Sequence, residues 1–113
     1  MKEIKAIVKP FMTPKVIETL RGFDHLPGVT VSAVTGFGRR LSGGSPPAEG
    51  SDANDEVAMS KIEIVVPDAL AESVVGIIAR SAHTGNPGDG KIFVYDIETV
   101  VRIRTGERGE QAI

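Results

Sequence analysis

Two stretches of the chain repeat the same order of secondary-structure signals. Each begins with apolar residues typical of a strand, passes a proline, and ends with an apolar stripe at helical spacing, at residues 4–20 and 62–78. The prolines Pro10 and Pro67 end the strands, and Thr13 and Asp68 are predicted to cap the helices that follow. A strand–helix unit that occurs twice restricts the chain to folds in which both units share one sheet.

Two more strands complete the predicted order of elements. One runs from Val29 to Val34, and the last runs from Lys91 to Tyr95, after a turn signal at residues 84–90. With the strand at residues 61–66, the order is βαββαβ. This order predicts an α+β, ferredoxin-like sandwich, in which an antiparallel sheet is covered by two helices, and we expect residues 1–113 to form a single domain.

A long polar segment interrupts the pattern between the second and third strands. Residues 41–59 are mainly Ser, Gly, Pro, Ala, Asp and Glu, and they include no aromatic residue. This composition predicts a long flexible loop at about residues 40–60. A loop of this length inside a compact domain is usually functional or a dispensable insertion, and the composition alone leaves both open.

Composition and charge exclude several classes of protein. The chain has 113 residues and no cysteine, which excludes a disulfide framework and thiolate metal sites. Its net charge of −2 provides no general attraction for nucleic acid, and no apolar run approaches the ~20 residues that cross a bilayer. We therefore expect a cytoplasmic protein without nucleic-acid binding or membrane insertion. His25 and His83 have no neighbouring ligand at a metal-binding spacing, so no metal site and no catalytic residue are predicted.

Three short motifs are suited to binding an anion. Arg102 and Arg104 alternate with apolar residues, and on a strand both guanidinium groups would project from one face, as a polyphosphate site requires. The alternative is a solvated edge strand. Gly88-Asp89-Gly90-Lys91 and Gly36-Phe37-Gly38-Arg39 each place two glycines where backbone amides can approach a ligand, although neither is a Walker A loop.

Taken in order, these motifs resemble the PII signal-transduction family. The similar segments are Lys9–Phe11, Thr35–Arg39, Lys61–Pro67, Thr84–Val94 and Arg102–Glu107. The resemblance implies a homotrimer that binds ATP, ADP or AMP in clefts between subunits, without a prosthetic group. It also implies that the flexible loop regulates a target protein, which the sequence does not identify and which can be a transporter, an enzyme or a regulator.

The resemblance also assigns residues to the nucleotide site. They are Ile7, Thr30, Gly36, Phe37, Gly38, Arg39, Arg40, Glu63, Val65, Gly88, Asp89, Gly90, Lys91, Arg102 and Arg104. Arg102 and Arg104 would meet the phosphates, and Ile7, Thr30, Glu63 and Val65 would lie near the adenine and ribose. For Ile7 and Val65, ordinary strand packing is an equally good interpretation.

The loop departs from the family pattern at three points. The only tyrosine is Tyr95, in a predicted strand, so uridylylation of a loop tyrosine is not expected. Arg40 replaces a glutamine that helps to hold magnesium and 2-oxoglutarate, and Met59 replaces a lysine that pairs with 2-oxoglutarate. We therefore expect no response to 2-oxoglutarate, and Arg40 could instead recruit a small anion such as bicarbonate. Loop serines at positions 42, 45 and 51 are possible phosphorylation sites.

Two other classes of function are weighed against this interpretation. An RNA-binding ferredoxin-like domain needs aromatic residues on its central strands, and Ile62, Ile64 and Val66 provide none. A small phosphate-handling enzyme with slow nucleotide hydrolysis could use Lys91 and the two arginines to stabilise charge. That enzyme would lack a recognisable nucleophile or general base.

Overall fold

The fold comes from a computed structural model that describes residues 1–38 and 56–113. Arg39, Arg40 and the three loop serines therefore lie outside the described residues. The described elements are β1 (Lys2–Val8), α1 (Thr13–Arg21), β2 (Thr30–Gly36), β3 (Val57–Val66), α2 (Asp68–Ala82) and β4 (Gly90–Asp96), with short 3-10 turns at Pro10–Met12 and Glu110–Ala112. The predicted βαββαβ order is confirmed.

The strands form one antiparallel sheet in the order β2-β3-β1-β4. The register places Ile4 of β1 opposite Ile64 of β3 and Val94 of β4. The β2–β3 connection joins neighbouring antiparallel strands, whereas each helix connects strands that are not adjacent. This is the ferredoxin-like topology that the sequence predicts.

The core lies between the two helices and one face of the sheet. Alternate residues of β1 and β3 point to that face, and they pack against the apolar stripes of α1 and α2. The largest fully buried side chains are Ile4, Val8, Val16, Leu20, Ile62, Ile64, Val66, Val74 and Ile78. Each stabilises the fold by roughly 1.5–3 kcal/mol through removal of apolar surface from water. The intervening residues project from the other side of the sheet, which is called the open face below.

Both helices begin differently from the prediction. Thr13 is already the first residue of α1, because the 3-10 turn at Pro10–Met12 leads directly into the helix, and Met12 occupies the capping position. Asp68 is the first residue of α2, after an extended Pro67. Its carboxylate accepts a hydrogen bond from the Met1 amino group at 2.7 Å and makes no capping bond. The two predicted side-chain caps were therefore wrong.

β3 begins earlier than the predicted strand. It starts at Val57 rather than Lys61, because β2 continues to Gly36 and its last residues pair with Val57 and Ala58. Met59, which was predicted to lie in the flexible loop, is opposite Val34 in this ladder and only 3% exposed. The predicted loop thus ends before Val57. The pairing partner, rather than local composition, determines where the strand starts.

Candidate functional site

The turn before β4 packs tightly against the end of β1. Gly90 lies opposite Val8, with φ at 103°, and a Cβ atom at this position would lie 1.7 Å from the Ile7 carbonyl oxygen. Only glycine fits this close approach between two backbones. The next residue, Lys91, lies opposite Ile7 and is exposed. The predicted contact residues Ile7, Gly90 and Lys91 are therefore neighbours at one end of the sheet.

Asp89 uses its carboxylate to hold this turn together. One carboxylate oxygen accepts hydrogen bonds from the backbone N–H groups of Thr84, at 2.8 Å, and Gly85, at 3.0 Å. The other carboxylate oxygen accepts a hydrogen bond from the Thr84 hydroxyl group and lies 3.1 Å from Lys9 Nζ. The bonds from Thr84, followed by those from Gly85 and Lys9, hold the pKa of Asp89 well below its usual range. Both carboxylate oxygens thus already bind protein groups, so a ligand would contact Asp89 through the backbone atoms of this residue.

The second glycine motif lies at the end of β2. Gly36 is opposite Val57, and the Phe37 ring that follows is 65% exposed. Gly36 and Gly90 are at the same end of the sheet but on its two opposite edges, β2 and β4. Three strand spacings of ~4.8 Å separate those edges, about 14 Å in all. One copy of the chain therefore does not bring the two glycine motifs together.

The residues predicted to lie near adenine and ribose line a groove on the open face. Thr30 is opposite Glu63, and the groove, of about 440 Å³, includes both residues and Val65. Its remaining walls are Glu3, Pro27, Gly28, Ile64, Val100, Ala112 and Ile113. Val65 is partly exposed in this groove, so it is not simply a core residue. Ile7 does not line the groove and lies instead beside Lys91.

Charged side chains surround this groove. Lys61 Nζ lies 3.4 Å from a Glu63 carboxylate oxygen. Burial raises the pKa of Glu3, and a hydrogen bond with Glu63 raises it further. On the β4 side, Lys5 Nζ lies 4.8 Å from the centre of the Tyr95 ring. Tyr95 therefore lies in a strand, as the sequence predicted, and forms part of the open face.

Arg102 and Arg104 do not lie on a strand, which corrects the prediction. Residues 103–105 form a turn, and Val101 makes only an isolated bridge with Arg108. The turn is closed by a hydrogen bond from the Arg102 N–H to the Glu107 carbonyl, at 2.9 Å, and by another from the Gly106 N–H to the Arg102 carbonyl, at 2.7 Å. Apolar alternation over four residues is too short to distinguish a strand from such a turn.

The two arginine side chains have different surroundings. The Arg102 guanidinium donates to a Glu107 carboxylate oxygen at 3.1 Å and to the Gln111 carbonyl at 3.2 Å. Its hydrogen bond to the Ile113 carbonyl is longer, at 3.5 Å. Arg104 is exposed and forms no ion pair with the residues that the structure describes. Both arginines belong to the C-terminal segment, whose residues Val100, Ala112 and Ile113 line the 440 Å³ groove.

Sequence reasoning missed the role of Lys9. Its ammonium group lies 3.1 Å from Asp89 and 3.3 Å from the Thr84 hydroxyl, and its side chain is 18% exposed. The sequence showed only a lysine at the end of a strand, which is the usual place for a solvated charge. The one available signal was its position in the Lys9-Pro10-Phe11 segment that resembles PII proteins.

Three predicted absences concern metal, membrane and catalytic sites. Within residues 1–38 and 56–113, no group of three or more His, Cys, Asp and Glu side chains could hold a metal ion. His83 Nδ1 is 3.8 Å from the Asp89 carboxylate, and His25 is exposed. No helix in the described part of the chain is long and apolar enough to span a membrane. The cytoplasmic location and the absence of a catalytic residue stay predictions.

Comparison with known proteins gives consistent matches along the chain. The family model described as nitrogen regulatory protein P-II matches residues 1–107. The chain is 47% identical to the nitrogen regulatory protein P-II of Rhodospirillum rubrum and 46% identical to nitrogen regulatory protein P-II 1 of Escherichia coli K12, in each case over 100% of both chains. The crystal structure of Arabidopsis thaliana PII bound to citrate superposes with a TM-score of 0.80, at 41% identity, covering 99% of this chain and 91% of that one.

Proposed function

This chain belongs to the nitrogen regulatory protein P-II family, and we propose that it is a signal-transduction protein that binds an adenine nucleotide between its subunits. ATP, ADP or AMP would occupy the cleft, and the segment around residues 40–60 would regulate a target protein. Differential affinity of the nucleotide for two arrangements of that segment would couple binding to regulation.

The observation that supports the proposal is the division of the predicted contact residues into separate groups. Ile7, Gly90 and Lys91 meet at one end of the sheet, and Gly36 lies at that end on the opposite edge. Thr30, Glu63 and Val65 line the groove beside the segment that carries Arg102 and Arg104. A neighbouring copy that turned its Lys91 end toward this groove would bring both groups to one nucleotide, as a cleft between subunits would do.

The chemistry of each group fits one part of a nucleotide. The turn at residues 84–90 and Lys91 offer backbone amides and an ammonium group, which bind phosphate oxygens. The groove offers the Glu63 carboxylate and the Thr30 hydroxyl, which can pair with ribose hydroxyls and base nitrogens. The related Arabidopsis protein was solved bound to citrate, which is also a small polyanion.

A calorimetric titration with ADP and ATP tests the proposal. We expect saturable binding of one nucleotide per subunit, with Mg²⁺ contributing little. AMP provides a graded control, because it has the same base and ribose but fewer phosphate oxygens for the turn and the arginines. If neither ADP nor ATP binds at millimolar concentration, the proposed nucleotide site is wrong.

We also propose that 2-oxoglutarate is not the effector of this protein. Arg40 cannot ligate a metal ion through its guanidinium donors, and Met59 is an apolar side chain buried in β3. A small anion such as bicarbonate is the proposed alternative effector, because a guanidinium group can pair with it. The target protein would then respond to the combination of bound nucleotide and bound anion.

A regulatory role is proposed in preference to enzymatic activity. The relatives are named as regulatory proteins, and their names specify no reaction. Slow hydrolysis of a bound nucleotide is the alternative, with Lys91 and Arg104 stabilising the developing charge. A turnover assay with ATP separates the two, because an enzyme would release phosphate continuously whereas a binding protein would retain the nucleotide unchanged.

A further inference from the structure

We infer that Lys9 is a positioning residue of the phosphate-binding turn and that it acts through Asp89. The inference rests on the proposed function, because it concerns how the turn at residues 84–90 is prepared for an anion. Lys9 follows Val8, the residue of β1 that faces Gly90 across the sheet. It therefore joins the end of β1 to the carboxylate inside the turn.

The contacts show how the position of the turn depends on this link. One Asp89 oxygen binds the first two backbone amides of the turn, those of Thr84 and Gly85. The other oxygen receives the Lys9 ammonium group at 3.1 Å and the Thr84 hydroxyl. The Asp89 carboxylate is only 25% exposed. The turn is thus closed on itself by Asp89 and attached to the sheet by Lys9.

The charge of Asp89 is the second reason to infer that Lys9 prepares the turn for an anion. Asp89 is an ionised carboxylate within a turn that is proposed to bind phosphate, and on its own it would repel that ligand. Lys9 balances this charge from inside the protein, while Lys91 remains exposed at the start of β4. His83 also faces the carboxylate, at 3.8 Å, but its side chain is 69% exposed and is a poor substitute for Lys9.

A double-mutant cycle distinguishes positioning from direct contact with the ligand. We expect Lys9→Met to raise the Kd for ADP about tenfold, because the carboxylate loses its partner and the turn loses its attachment to β1. In an Asp89→Asn background, the same substitution should change the Kd by less than about twofold. An equal loss in both backgrounds would mean that Lys9 acts independently of Asp89, through its 3.3 Å hydrogen bond to the Thr84 hydroxyl or through the nucleotide itself, and would overturn the inference.

Two further variants separate this effect from general destabilisation. Lys2→Met is the matched control, since Lys2 lies at the other end of β1 and pairs with Asp96 of β4, whereas Lys9 directly follows β1 and pairs with Asp89, directly before β4. It should leave the Kd for ADP unchanged. Lys9→Arg retains the charge and the donors and should restore most of the affinity. Loss of affinity in Lys2→Met equal to that in Lys9→Met would show that breaking any ion pair at the ends of β1 and β4 is sufficient, and would overturn the inference.

A measurement without ligand tests the same inference independently of nucleotide binding. Hydrogen exchange of the Thr84 and Gly85 amides should accelerate about tenfold or more in Lys9→Met and remain unchanged in Lys2→Met. If the protein fails to bind ADP, the proposed function is wrong, yet this exchange result still decides whether Lys9 positions the turn. Unchanged exchange in Lys9→Met would overturn the inference.

Discussion

Arg102 and Arg104 are separated by one residue, yet only Arg102 has protein partners among the described residues. Arg104 is exposed, so Arg104→Ala should weaken ADP and ATP binding by about 1.5–3 kcal/mol, the range for charge-assisted hydrogen bonds, and leave the unfolding midpoint unchanged. Arg102→Ala is the comparison. It should also lower the free energy of unfolding by about 1 kcal/mol, because Glu107 and the Gln111 carbonyl lose a donor. Calorimetry and urea unfolding of both variants measure the two effects, and unchanged affinity in Arg104→Ala would contradict the proposed phosphate contact.

Arg40 and Met59 are the basis of a prediction about 2-oxoglutarate. Mg²⁺ requires oxygen ligands in near-octahedral geometry, and a guanidinium group offers none. We therefore expect no binding of 2-oxoglutarate to protein saturated with ATP and Mg²⁺. In the measurement, 2-oxoglutarate is titrated into the natural chain, into the single variants Arg40→Gln and Met59→Lys, and into the double variant. A response restored only in the double variant would locate the lost specificity at these two positions, whereas tight binding by the natural chain would rule the idea out.

Glu3 gives a prediction about pH. Burial, aided by the hydrogen bond with Glu63, raises its folded-state pKa above the usual 4.5. The folded state therefore holds this proton more tightly than the unfolded state, and the resulting stability is present below pH 4.5 and lost as pH rises through the folded pKa.

Glu3→Gln should accordingly make the free energy of unfolding fall less between pH 4 and pH 7. Urea unfolding across that range tests this, with Glu72→Gln on the exposed side of α2 as the control. Parallel pH profiles for the natural chain and Glu3→Gln would show that the raised pKa has no effect on stability.

At the scale of elements, the approach of β4 to β1 depends on one glycine. In Gly90→Ala the new methyl group would overlap the Ile7 carbonyl oxygen, so the strands would have to separate at that end. We expect the free energy of unfolding to fall by about 2 kcal/mol or more. Gly28→Ala is the matched control, because a Cβ atom there meets nothing within 4 Å. Equal stability of the two variants, measured by urea unfolding, would contradict the close packing at Gly90.

The element boundaries show where local patterns become insufficient. The strand and helix cores were predicted because alternation and helical spacing are properties of neighbouring residues. The start of β3 at Val57 was missed, since it depends on pairing with β2 across the sheet. The turn at residues 103–105 was missed because apolar alternation over four residues does not distinguish a strand from a turn that is closed by contacts of Arg102 with Glu107 and the C-terminal segment.

At the scale of the whole molecule, we predict a homotrimer. The glycine motifs at Gly36 and Gly90 lie on opposite edges of the sheet in one subunit, and a chain of 113 residues buries a limited core by itself. Light scattering coupled to size exclusion should give three times the 11.9 kDa mass of the chain. A monomer at micromolar concentration would remove the cleft between subunits from the proposed function.

The sequence by itself determined the order of elements, the antiparallel ferredoxin-like fold and the PII family, because strand and helix periodicity and short motifs are local properties. It also indicated which residue types could meet a nucleotide. Only the tertiary structure showed that Asp89 is occupied within its turn and that Lys9 is its partner. Lys9 and Thr84 are 75 positions apart, and their contact arises only when β1 and β4 pair. No local sequence pattern predicts such a contact, since its energy depends on burial and on the proximity of the Lys9 and Asp89 charges, which arise only after the sheet has formed.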